Sequence, residues 1–187
     1  MDKQRLVQTA QALVAEKKGI LAADESGGTI KRRFDSINVE STEKSRRDYR
    51  EMLFRTAGVS DFISGVILFD ETIRQEAADG TPIVKVLTDQ GIIPGIKVDK
   101  GTISLPSAPD ELVTEGLDSL RDRLTEYVEL GAGFTKWRAV ISITNDTPTS
   151  YGIAANAHAL ARFAALSQEA GLVPIVEPEV LRDGDHS

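Results

Sequence analysis

The chain has 187 residues, 41% hydrophobic and 27% charged, a balance that suits one globular domain or part of a larger one. It has no cysteine, and its only two histidines, His158 and His186, lie far apart, which excludes a disulfide framework and a thiolate metal site and leaves no histidine pair for zinc. The formal charge of −7 disfavours nucleic acid as a partner, and the short basic clusters Lys31-Arg32-Arg33 and Arg46-Arg47 suit a small anion better than a polyanion.

At the amino terminus, Leu6, Val7, Ala10, Leu13 and Val14 recur at helical spacing until Gly19 breaks the pattern before the apolar run Ile20-Leu21-Ala22-Ala23, a buried strand. That polar start lacks the core of a signal peptide, and no later apolar run reaches membrane-spanning length, so a cytoplasmic protein with no membrane partner is expected. Ser41-Thr42 opens a second helix with Tyr49, Leu53 and Thr56 on one face, and residues 62–69 follow as a second strand. A short helix from about Glu71 to Ala78 and the turn Asp79-Gly80-Thr81-Pro82 lead to a third strand, residues 92–99. Leu117, Leu120, Leu124, Tyr127 and Val128 line a helix that Gly131 terminates, and residues 134–143 form a fourth strand. Thr147 caps and Pro148 opens a long alanine-rich helix ending at Gly171, and residues 172–177 are the fifth strand.

Strands apolar on both faces and separated by helices define the α/β class with a parallel sheet, either a closed barrel or an open doubly wound sheet. Gly27-Gly28 has neither the G-x-G-x-x-G spacing of a dinucleotide fold nor a P-loop lysine, which weighs against the open sheet.

Ionisable residues recur within or at the ends of these apolar runs: Asp24, Lys97, Asp99, Lys136, Arg138, Glu177 and Glu179. An unpaired buried charge costs several kcal/mol, roughly, so charges on strand after strand point to a common site. Side chains alternate along a strand, so Lys97 with Asp99, Lys136 with Arg138, and Glu177 with Glu179 each lie on one face, which in a barrel can be the interior at the carboxyl end where barrel sites lie. Any one Lys–Asp pair alone reads more simply as a core salt bridge. Asp99 and Glu179 read as ordinary turn or solvated charges. Trp137, on the alternate face, is expected to pack against the helices. Asp24-Glu25-Ser26-Gly27-Gly28-Thr29, followed by Lys31 to Arg33, is either a polar loop or a phosphate cradle of amides, hydroxyls and cations. For covalent chemistry on a carbonyl, Lys97 and Lys136 are both candidate nucleophiles, since clustered lysines lower one another's pKa.

The stretches GILAADES (Gly19 to Ser26), GVILFDET (Gly65 to Thr72), GIKVDKG (Gly95 to Gly101), KWRAVI (Lys136 to Ile141) and IVEPEVLRDGDH (Ile175 to His186) occur in an order that resembles class I fructose-bisphosphate aldolase along essentially the whole chain. The resemblance implies a (β/α)8 TIM barrel of which residues 1–187 hold about the first five β/α units. It implies a cytoplasmic homotetramer that cleaves the phosphosugar fructose 1,6-bisphosphate reversibly to dihydroxyacetone phosphate and glyceraldehyde 3-phosphate, without a metal or other cofactor.

Position by position, the resemblance makes Asp24 the acid/base aspartate, Lys97 and Lys136 the lysines that orient the reacting oxygens, and Glu177 the proton shuttle. Ser26, Thr29 (where the family often has serine), Arg33 and Arg138 fall around a substrate phosphate. It also places the Schiff-base lysine on a sixth strand, beyond Ser187, so the 187 residues alone are expected to be inactive. Two other readings stand beside it: an inactive half that binds only sugar phosphate or a complementing chain, and another phosphosugar barrel enzyme.

Overall fold

The computed structural model describes residues 2–186. Helix α1 (Lys3–Leu13) begins where the Asp2 carboxylate accepts the Arg5 amide at 3.1 Å, and it leads to β1 (Gly19–Ala23). Two helices follow, α2 (Gly27–Asp35) and α3 (Glu43–Phe54), the second started by a capping box between Thr42 and Ser45. The four-residue turn α4 (Val59–Phe62) feeds β2 (Ile63–Leu68). Then come α5 (Asp70–Ile73), α6 (Ile83–Thr88) and β3 (Ile93–Lys97). A hairpin of β4 (Thr102–Leu105) and β5 (Ala108–Thr114) precedes α7 (Leu120–Glu129), β6 (Phe134–Ile141), α8 (Ser150–Glu169) and β7 (Val173–Val180).

The main sheet is parallel throughout, in the order β1-β2-β3-β6-β7. Strands thus join in chain order with no reversal. An open doubly wound sheet has a reversal point, so this curled half-barrel winding decides between the two α/β alternatives. Val66, Leu68, Ile96, Trp137 and Ala139 face the helices, and Trp137, fully buried, stacks on Phe163 of α8 at 5.5 Å between ring centroids, as its alternation requires.

The concave face is layered. Its lower part is an apolar floor of Ile67 and Phe134, flanked by Ile20, Ile93, Val173 and Ile175 and closed by Leu13 of α1. Phe134 lies across β3 because Gly95 has no side chain; a Cβ there would stand 2.3 Å from the ring. Above the floor the same column of side chains becomes ionisable.

Local structure differs from the sequence reading in several places. The short helix expected over residues 71–78 is only its first turn: α5 ends at Ile73, and the chain then doubles back, with Ala77 donating its amide to the Thr81 carbonyl at 2.7 Å. The glycine-rich turn expected at residues 24–29 gives way at Gly27 to α2, whose Ile30 and Phe34 are buried one turn apart. Helix α6 and the β4–β5 hairpin lie in stretches where no element is expected from the sequence. Thr149, not Thr147, caps α8, because the Thr147 hydroxyl is used in the preceding turn, donating to the Ser142 carbonyl at 2.9 Å. Glu111 of the hairpin reinforces that cap, accepting from the Thr149 amide and hydroxyl at 2.9 and 2.5 Å.

Within the described residues, β1 and β7 each pair on one side only. The outward side chains of β7 are partly bare, with Val176 45% and Val180 46% exposed. Among the described residues no helix is long and apolar enough to cross a membrane.

Candidate active site

A cavity of about 910 Å³ opens at the carboxyl ends of the parallel strands. All eight residues singled out from the sequence line it: Asp24, Ser26, Thr29, Arg33, Lys97, Lys136, Arg138 and Glu177. The strands deliver four of them in register, with Lys97 opposite Lys136 and Arg138 opposite Glu177, while Ser26, Thr29 and Arg33 come from the start and body of α2.

Lys136 is the centre of the arrangement. Its ammonium stands 3.3 Å from the Asp24 carboxylate and 3.2 Å from that of Glu177, so one cation bridges the ends of β1 and β7. Burial works against the charged lysine, but the fields of Asp24 and Glu177 outweigh it and hold Lys136 above the ordinary lysine range. The expectation that clustered lysines depress one another is therefore corrected for Lys136, whose neighbours are carboxylates. As the structure stands, the two carboxylates favour the ammonium form of Lys136 over the free amine.

Lys97 pairs with Asp99 and also donates to the Asp99 backbone carbonyl at 3.2 Å. Asp99 is no ordinary turn residue: its buried carboxylate also accepts the Gly101 amide at 3.1 Å and lies 3.3 Å from the Arg138 amide, tying β3 to β6. Glu179, read as solvated, is the ion-pair partner of Arg138. Arg123, absent from the sequence reading, braces the same region by donating to the Val98 carbonyl at 2.9 Å and to that of Gly116.

At the other wall, Ser26 precedes α2 and shares a 3.2 Å hydrogen bond with Thr29, while Arg33, largely exposed, pairs with Glu25. The space beside Gly27 and Gly28 is open, with nothing within 4 Å of a Cβ built on either. Two hydroxyls, Ser26 and Thr29, and the Arg33 guanidinium thus line one wall of the cavity at α2. Behind it lies Arg50, fully buried on α3, which the sequence reading passed over although it stands one turn before the buried Phe54.

The half-barrel winding and a cavity lined by acids and cations at its carboxyl rim define an α/β barrel-type protein. Its relatives narrow this. The family model described as "Fructose-bisphosphate aldolase class-I" matches residues 5–187, and the chain belongs to that family. The "Probable fructose-bisphosphate aldolase class 1" of Xanthomonas campestris is 62% identical over 186 residues, covering 100% of this chain and 56% of the relative. "Fructose-bisphosphate aldolase 1" of Toxoplasma gondii is 55% identical over 183 residues, covering 97% of this chain and 50% of its own length. The aldolase from Plasmodium falciparum, solved with TRAP and a small-molecule inhibitor, superposes with a TM-score of 0.96 at 51% identity, over 98% of this chain and 54% of that one. The chain therefore spans about half the length of the curated relatives it matches.

Proposed function

We propose that these residues form the proton-transfer and phosphate-binding half of a Schiff-base aldolase site, active within a complete (β/α)8 barrel on fructose 1,6-bisphosphate. The observation that carries this is the Lys136 ammonium held between Asp24 and Glu177 on separate strand ends, beside a wall that carries the Ser26 and Thr29 hydroxyls and Arg33.

The reaction begins when a lysine amine from the rest of the barrel adds to the C2 ketone. Glu177 passes protons to the carbinolamine hydroxyl, which leaves as water and yields the protonated imine. Asp24 takes the proton from the C4 hydroxyl, the C3–C4 bond breaks, and its electron pair moves to the imine as an enamine. Glyceraldehyde 3-phosphate departs. Protonation of the enamine and hydrolysis then release dihydroxyacetone phosphate. Lys97 and Lys136 stabilise the oxygens that gain charge, and Ser26, Thr29, Arg33 and Arg138 hold phosphate. Arg138 reaches a phosphate by exchanging its pairing with Glu179 for it. The working protein in this reading is a cytoplasmic homotetramer that needs no cofactor.

A second reading, an inactive half that binds a complementing chain, is favoured by the bare outer face of β7 at Val176 and Val180. One experiment separates the two: join the chain to the carboxyl-terminal part of the Xanthomonas campestris relative and follow triose phosphate release from fructose 1,6-bisphosphate. The aldolase reading predicts cleavage by the fusion; a folded fusion that binds the sugar without cleaving it supports the second.

A further inference from the structure

Arg50 is an unusual residue to place behind a site. It is 0% exposed, its Nε and Nη1 atoms have no hydrogen-bond partner, and it lies over the Phe69 ring with its guanidinium carbon 5.9 Å from the centroid. Burial pulls it below the ordinary arginine range, and Glu25 and Glu71 offset this only in part. A buried ion pair seldom stabilises a fold better than apolar residues of the same volume, so filling space does not account for a guanidinium there.

Its contacts show what it holds. The one well-formed hydrogen bond runs from Nη2 to the backbone carbonyl of Glu25 at 2.7 Å, in the peptide that links Glu25 to Ser26, one residue after Asp24. The Glu25 side chain is 3.8 Å away and in turn holds Arg33. Glu71, 3.7 Å from Arg50, is already engaged by a two-pronged contact from Arg46 at 2.8 and 2.6 Å, leaving Glu25 as the chief partner of Arg50. One buried guanidinium, through a single hydrogen bond, therefore holds the backbone that joins the β1 carboxylate to the hydroxyl wall.

We propose that Arg50 is a positioning residue of the site: it sets the backbone between Asp24 and Ser26, and through Glu25 the reach of Arg33, so that proton transfer and phosphate binding share one support. This rests on the aldolase reading given above. A misplacement of about 1 Å at reacting groups costs up to roughly a hundredfold in rate, which is the range at stake.

The test compares Arg50→Met, which fills the volume without charge or fork, and Arg50→Lys, which keeps the charge, with the parent in the fusion protein. Kinetics are taken per folded molecule, and inorganic phosphate is titrated calorimetrically. The expected result is a kcat lower by about tenfold or more in Arg50→Met together with a raised KM and several-fold weaker phosphate binding, with partial recovery in Arg50→Lys. A purely structural role would lower the folded fraction alone and leave KM and phosphate affinity unchanged. That pattern, or folded variants matching the parent in every respect, overturns the proposal; if Arg50→Met does not fold, Arg50→Lys decides it by the same readouts. A parent that does not cleave fructose 1,6-bisphosphate defeats the aldolase reading instead, and the phosphate titration still tests the support that Arg50 gives.

Discussion

At the scale of single residues, the site is a set of charges held by other charges. Lys136 lies above its ordinary range because of Asp24 and Glu177, against the effect of burial. A folded-state pKa above the unfolded value of about 10.4 stabilises the fold fully below that pH, and the contribution disappears as pH rises through the folded value. Urea unfolding of the fusion from about pH 9 to about pH 12 should therefore show an alkaline loss of stability that Lys136→Met reduces; equal losses in both proteins would remove Lys136 from this role. Asp99→Asn keeps the shape but withdraws the carboxylate from Lys97, and kcat is expected to fall about tenfold to a hundredfold with little change in KM. Steady-state kinetics at saturating substrate decide it. The residues legible in the sequence, Asp24, Lys97, Lys136 and Glu177, were those interrupting or ending apolar strands. Arg50 was not, because it sits in a helix among Arg46, Arg47 and Asp48, where another arginine looks like part of a solvated face. Asp99 was read as a turn charge because it ends the apolar run and borders a turn, and only the fold brings the Arg138 amide to it.

At the scale of elements, the five strands could be read because a parallel strand buried on both faces leaves an apolar run bounded by glycine or proline. The pieces missed have physical reasons of their own. Helix α2 begins with Gly27-Gly28, the poorest helix formers apart from proline, and is recovered by burial of Ile30 and Phe34. Helix α6 is six residues rich in β-branched side chains, Ile-Val-Lys-Val-Leu-Thr, and local preference there favours a strand. The β4–β5 hairpin shows no clean alternation, since much of it is exposed. Packing between elements is most exacting where Phe134 crosses Gly95. Gly95→Ala is expected to destabilise the fold by about 1–3 kcal/mol through overpacking, and Phe134→Leu in the same chain to restore part of it. Denaturant melts of the single and double variants measure both. A Gly95→Ala protein as stable as the parent would mean that the floor repacks freely.

At the scale of the molecule, among the described residues the curled sheet pairs on one side only at β1 and β7 and leaves the outer face of β7 partly bare, surfaces that invite association. The isolated 187-residue chain is therefore expected to self-associate in sedimentation velocity runs, and Val176→Lys with Val180→Lys to shift it toward the monomer. A monodisperse parent monomer would show that the face needs no cover. The same geometry underlies the division of labour proposed for the reaction: residues 1–187 supply the acid, base and phosphate groups, and the amine that attacks the ketone comes from elsewhere in the barrel. Borohydride trapping tests this most directly. The 187-residue chain and the completed fusion are each incubated with fructose 1,6-bisphosphate and borohydride, and the reduced adduct is mapped by mass spectrometry. The account predicts an adduct in the fusion on a lysine outside these residues and none in the chain alone. An adduct on Lys97 or Lys136 in either protein would contradict it.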